Sequence, residues 1–272
     1  MRTPTLVLAL LALAPLASAA CQTKVCTAYE APVKAENNTA PEGFVSLFDG
    51  KVIDTAVWTG GTTHNPAAIA AQSPEKKAKW FADKDAEIAK HWSADAAKGE
   101  IVSDGHGAHL ATRKHYADFE FRVDYKIRKN GDSGIYLRGC PQVQIWDPSN
   151  PAEQGNGAAK GSGGMWNNNG DNPGRWPLVL ADSPIGEWNT LHIVMVGQRV
   201  WVTLNGKVTI NGSKMDNLFD RKAGVPAAES IHLQTHGNEV RFRNVFVREI
   251  GAEEGAKHLA AVKPEADAPV RK

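Results

Sequence analysis

The chain has 272 residues, 31 lysines and arginines against 30 aspartates and glutamates, and 42% hydrophobic residues. That is enough apolar material for one sizeable core, and a net charge of +1 offers nothing particular to nucleic acid or to an anionic membrane. Eight tryptophans against four tyrosines are first read as core filling, although indole is also a good platform for the C–H face of a sugar ring.

The start, "MRTPTLVLALLALAPLASAA", has one arginine, an apolar run and small residues before Cys21. Residues 1–20 therefore read as a secretory signal peptide rather than a spanning helix. Ala17-Ser18-Ala19 suits ordinary cleavage and soluble export to the periplasm or beyond, while Cys21 behind small residues also suits a lipoprotein anchor, the one membrane attachment expected. Export permits disulfides. The three cysteines, Cys21, Cys26 and Cys140, pair as Cys26–Cys140 if Cys21 carries lipid; otherwise Cys21–Cys26 and Cys26–Cys140 are both open. No spacing of Cys and His suggests a zinc site.

Residues 21–41 are polar, without periodicity, and read as a linker. One domain follows over 42–250. Its strands are expected from alternation at Gly43–Phe48, His109–Thr112, Phe119–Ile127, Ser133–Leu137, Gln142–Trp146, Leu191–Val196, Arg199–Leu204, Lys207–Ile210, Ile231–Thr235 and Val240–Glu249. Asn205-Gly206 between two alternating runs is a strong hairpin signal. Many short strands with turns between them predict an all-β sandwich of the jelly-roll type. One interruption is a helical insertion over 66–98, opened by Ser73 and Pro74, with Trp80, Ile88 and Trp92 as its buried stripe. The Gly-, Asn- and Pro-rich segment 148–186 contains Trp166 and Trp176 and is read as a structured loop at the edge of a binding site. Residues 251–272 read as a mobile tail.

Alternation also sorts the strand faces. Ile135, Leu137, Val143, Ile145 and Leu233 point to the core, leaving Tyr136, Arg138, Gln142, Gln144, Trp146, His232, Gln234 and His236 on the other face. A solvated face would be Lys, Glu, Thr and Ser. Amides, a phenol, an indole, a guanidinium and an imidazole suit a sugar, whose hydroxyls want bidentate partners and whose C–H faces want aromatic rings. On the neighbouring long strand, Glu120 and Asp124 alternate with the core residues in the same way. Each strand taken alone reads as a solvated face, and Arg138 as the ion-pair partner of Asp124 or Asp147. Agreement among several strands points instead to a carbohydrate site.

"GFVSLFDGK", "YADFEFRVDYKI", "GDSGIYLRG", "VQIWD", "GSGGMWNN", "PIGEWNTLHIVMVGQRVWVTLNGK" and "IHLQTHGNEVRFRNVFVREI", in that order, closely resemble the 3-keto-disaccharide hydrolase domain family over nearly all of 42–250. The resemblance implies a concanavalin A-like jelly roll in an exported protein. It also implies cleavage of the glycosidic bond of sugars oxidised at C3. A 3-keto group acidifies the C2 proton, and the resulting enolate expels the aglycone from C1 before water adds. Such a route needs a base with a pKa near 7 and a stabiliser for the enolate oxygen. His236 suits the base and Arg138 the stabiliser, with a divalent metal ion the alternative to Arg138. Asp147 orients His236, serves as base itself or ligates that metal. Tyr136, Gln142, Gln144 and Gln234 suit the hydroxyls, and Trp146 or Trp166 the ring face. The family commonly has Glu where this chain has Gln142, so the role of that carboxylate is either lost or moved to Glu120, Asp124 or Asp147. A non-catalytic carbohydrate-binding module is the competing reading, and an ordinary two-carboxylate glycosidase the third.

Overall fold

Strands in this chain form where β-branched and aromatic residues alternate with polar ones, and they pair into two antiparallel sheets around one core. The computed structural model describes residues 38–139 and 142–267. The expected signal peptide, most of the expected linker and Cys21, Cys26 and Cys140 lie outside the described residues, so the expectations about export, lipid and disulfides fall there too.

In chain order the elements are β1 (Val45–Ser46), β2 (Trp58–Gly61), α1 (Pro66–Ala70), α2 (Pro74–His91), β3 (Trp92–Asp95), β4 (Glu100–Ser103), β5 (His109–Thr112), β6 (Phe119–Ile127), β7 (Asp132–Tyr136), β8 (Gln142–Trp146), β9 (Asn189–Val196), β10 (Arg199–Leu204), β11 (Lys207–Lys214), β12 (His232–Leu233), β13 (Val240–Glu249) and α3 (Ala252–Ala260). The larger sheet runs β11-β10-β9-β6-β13-β4-β3 with β1 beside β13, and the smaller runs β2-β5-β12-β7-β8. The core lies between them. Phe119, Phe121, Val123 and Tyr125 of β6 meet Leu110, Ile135, Val143, Ile145 and Leu233 of the smaller sheet, all essentially without solvent contact. This is the all-β jelly-roll sandwich that the alternation predicts.

The insertion at 66–98 is helical only as far as His91. Asn65 caps α1 and Ser73 caps α2, each followed by Pro in the first turn. Trp92 then opens β3 and is buried, its indole N–H donating to the Ala108 carbonyl 2.8 Å away. Neither helix buries a residue fully. Instead, the pair lies beside the β2 edge, where Asp85 of α2 accepts from the Thr59 hydroxyl at 2.7 Å and the Gly60 N–H at 2.9 Å.

Both ends of the domain extend further than expected. Asn38 exchanges hydrogen bonds with Asn244 at 2.8–2.9 Å, so the last part of the presumed linker is structured. The presumed mobile tail carries α3, which docks through Glu254 on Arg248, and a 3-10 turn whose Asp267 pairs with Arg199 at 2.8 Å. Its apolar stripe is too thin to be seen in sequence; docking rests on ion pairs and on the His258–Trp201 ring contact. Among the described residues, no helix is long and apolar enough to cross a membrane.

Candidate functional site

Across the smaller sheet, cross-strand partners share a face, so the register sets out a grid on the side away from the core. Ala111, His232, Tyr136 and Gln142 form one row. Gly61 and His109 form the next with Gln234, Gly134 and Gln144, the last three tied by the Gln234 N–H to Gly134 carbonyl bond and the β7–β8 pairing. His236, Asp132 and Trp146 lie one step further on.

Two networks hold this face. In the first, the Thr235 backbone N–H points at His109 Nδ1 (3.3 Å), which makes that nitrogen an acceptor. Nε2 then carries the proton and donates to Thr63 Oγ1 (3.1 Å), and Thr63 donates to the Tyr136 phenol oxygen (2.9 Å). The Tyr136 O–H is thereby left to donate outward, and burial raises its pKa, so the phenol keeps its proton. The His109 and Tyr136 rings stack at 5.5 Å, with His232 5.9 Å from Tyr136. Burial pushes His109 down to about 4 and His232 to about 3, so both imidazoles are neutral at physiological pH.

The second network is a chain of four side chains. Gln142 Nε2 donates to Gln144 Oε1 (2.6 Å), Gln144 Nε2 donates to Asp132 Oδ1 (2.7 Å), and Asp132 Oδ2 lies 3.1 Å from His236 Nδ1. The hydrogen bond that His236 donates to Asp132 raises the pKa of His236 above its ordinary value, its partial burial opposing this. His236 is 60% exposed while Asp132 is 15% exposed, so the imidazole opens to solvent on a fixed carboxylate. His236 also lowers His109 through its charge, and Asp132 raises Tyr136, which ties the two networks electrostatically.

Three buried polar atoms on this face have no partner: Gln142 Oε1, Gln234 Oε1 and His232 Nδ1. Such atoms cost about 1–3 kcal/mol each, and their clustering marks where a donor or acceptor from outside belongs. Gly134 is what brings the two glutamines together. A Cβ there would lie 2.3 Å from Gln142 Oε1 and 3.0 Å from Gln234 Oε1.

Several residues singled out from the sequence stand elsewhere. Arg138 is not on this face. β7 ends at Tyr136, and Arg138 adopts φ +51°, which turns its side chain under the sandwich. There its guanidinium donates to the carbonyls of Ala117 (2.6 Å) and Gly197 (2.8 Å) and pairs with Asp118 (2.8 Å), not with Asp124 or Asp147. Alternation holds only as far as Tyr136, two residues short of Arg138. Asp147 does not orient His236; Asp132 does. Asp147 is fully buried in the turn after β8, accepting from the backbone N–H of Asn130 and from Ser149. Burial alone would raise its pKa, but those hydrogen bonds lower it. Glu120 and Asp124 lie on the outer side of the other sheet. Glu120 is held by His192, Arg122 and Arg248, which overcome its burial and keep its pKa well below the usual carboxylate range. Asp124 accepts from Thr190, Arg243 and Asn244. Trp146 shares the polar face but is 2% exposed, its N–H bound by the Gly161 carbonyl. Trp166 leans edge-on against it at 6.4 Å. Asp132 and His109 are not singled out by the sequence, and His232, which alternation places on this face with Gln234 and His236, is given no role there.

The 148–186 segment is structured beside β8, with Gly163 and Gly164 bonded to the Gln144 backbone and Met165 buried in the core. Among the described residues, no three His, Cys, Asp or Glu side chains are grouped to hold a metal ion.

A family model described as the 3-keto-alpha-glucoside-1,2-lyase-like domain matches residues 43–248. The chain belongs to that family. Among solved structures, a candidate glycosyl hydrolase from Parabacteroides distasonis ATCC 8503 is 19% identical over 79% of this chain and 99% of its own, with a TM-score of 0.56. A second structure of the same description and organism is 22% identical over 78% of this chain and 86% of its own, with a TM-score of 0.51. At these identities the likeness is one of fold, and it is the fold derived above. No curated protein matches the sequence.

Proposed function

We propose that this member of the 3-keto-alpha-glucoside-1,2-lyase-like family is a carbohydrate-active enzyme that cleaves the glycosidic bond of 3-keto-glycosides by elimination and hydration. The observation that carries the reading is the His236–Asp132 pair on the same sheet face as Tyr136, Gln142 and Gln234, a base and a donor on one face with acceptors that have no partners of their own. His236 Nε2 takes the C2 proton, and the C–H electron pair becomes the enolate C2=C3. Tyr136 O–H donates to the enolate oxygen, the position first given to Arg138. The ketone then reforms, a C1=C2 bond forms, and the C1–O bond breaks with its electrons leaving on the aglycone oxygen, which takes a proton. Water adds across C1=C2, hydroxyl to C1 and proton to C2, giving the free 3-keto sugar. Gln142 and Gln234 hold hydroxyls. Asp132 is a positioning residue that fixes the His236 ring and tautomer.

The N-terminal segment supports export as part of this proposal, with soluble release or a lipid at Cys21. One observation favours a second reading, a carbohydrate-binding module. Gln142 stands where the resembling family commonly has Glu, and an amide cannot move a proton. Incubation with a 3-keto-glucoside and its unoxidised parent separates the two: release of aglycone from the ketone alone supports the enzyme, and binding without release supports the module.

A further inference from the structure

A pocket of about 320 Å³ lies between the α1–α2 pair and the β2–β5–β12 side of the smaller sheet, beside the polar face. This is within the volume range of small-molecule sites, ~300–1,000 Å³. Its wall is aromatic and aliphatic. Trp80 and Phe81 meet edge-to-face at 4.9 Å, and Ile69, Ala70 and Pro66 of the first helix share the lining.

The polar residues of the lining are already engaged inside the protein. Thr59 and Arg113 are held by Asp85 (2.7 and 2.8 Å), Thr112 by the Lys114 carbonyl (2.7 Å), and His115 by Glu229 (2.9 Å). A second sugar ring, with several hydroxyls to satisfy, finds few open partners there. Of the lining residues, only His232 has a buried polar atom without a partner, Nδ1, its Nε2 being 2.7 Å from Ser230 Oγ. That atom faces Gly61, where a Cβ would come within 3.0 Å of it. The imidazole is neutral, so Nδ1 is a lone pair or an N–H according to which way the Ser230 bond runs, and a hydroxyl satisfies either.

We propose that this pocket binds a flat aromatic ring carrying a phenolic oxygen, the ring against the Trp80–Phe81 corner and that oxygen at His232. Such a ligand has two sources, a free phenol or the aglycone of an aryl glycoside. The second rests on the function proposed above; the first does not.

The test uses 4-nitrophenol as probe, titrated calorimetrically into the intact protein and into Trp80→Ala and Ala70→Trp. Both side chains lie on the exposed helices, and an unchanged thermal transition confirms folding. The proposal expects saturable binding, weakened about tenfold or more by losing the aromatic wall and blocked by filling the pocket. In parallel, the ratio of kcat/KM for phenyl over methyl 3-keto-glucoside is expected to fall about tenfold in Trp80→Ala if the ring arrives as an aglycone. Pocket-dependent binding of 4-nitrophenol with no turnover of either glucoside supports the pocket while removing the catalytic reading. Absence of 4-nitrophenol binding, or binding indifferent to both substitutions, overturns the proposal.

Discussion

His236 Nδ1 lies 3.1 Å from Asp132 Oδ2, and this pair joins the edge of the polar face to solvent. The hydrogen bond raises the pKa of His236, so the neutral base accumulates only above its ordinary 6.5. The acid limb of kcat/KM on a 3-keto-glucoside is therefore expected above pH 6.5. His236→Ala should lower kcat/KM by ~10²–10⁴, with a thermal transition close to that of the parent.

Asp132→Asn removes the charge that holds His236 protonated. The acid limb should move down toward pH 6.5 and kcat should fall, and pH–rate profiles of the two proteins measure both. A purely structural role for Asp132 would lower activity with the limb unmoved.

Arg138 is expected to matter for stability instead of chemistry. It is 2% exposed and donates to three separate segments. Arg138→Ala should destabilise the fold by about 3 kcal/mol, read from urea midpoints, while sugar affinity of the folded fraction is retained. Loss of affinity with unchanged stability would return Arg138 to the site.

His109 and His232 impose a pH dependence of their own. Their folded pKa values are about 4 and about 3, below the ordinary 6.5, so between those limits the unfolded chain binds the extra protons. The stability they contribute is complete above pH 6.5 and is lost as pH falls toward 4 and then 3. Each adds a slope of up to ~1.4 kcal/mol per pH unit. His232→Gln should flatten the urea-midpoint profile in that window; an unchanged profile would refute neutral burial.

Gly134→Ala probes the floor between the glutamines. Its Cβ would sit 2.3 Å from Gln142 Oε1, so the amide must turn away. Sugar affinity should drop about tenfold in a protein that still folds.

Much of this was legible in the chain. Alternation places Phe119–Ile127, Gln142–Trp146, Arg199–Leu204 and Val240–Glu249 at the boundaries observed. It also separates Ile135, Val143 and Leu233 in the core from Tyr136, Gln144 and Gln234 on the polar face. β2, β3 and β4 were missed because Trp-Thr-Gly-Gly, Trp-Ser-Ala-Asp and Glu-Ile-Val-Ser are too short to show a period, and pairing alone makes them strands. Arg138 was misplaced because a left-handed residue ends the alternation, and sequence does not mark it outside glycine. Glu120 and Asp124 were grouped with the site because parity reports a face, not which sheet it belongs to. Asp132 was overlooked because it sits one residue before the expected strand.

The central claim is tested most directly by measuring aglycone release from a 3-keto-glucoside and from the same glucoside unoxidised, under identical conditions. Release from the ketone alone, slowed when C2 carries deuterium, is the result predicted. Equal release from both would contradict it.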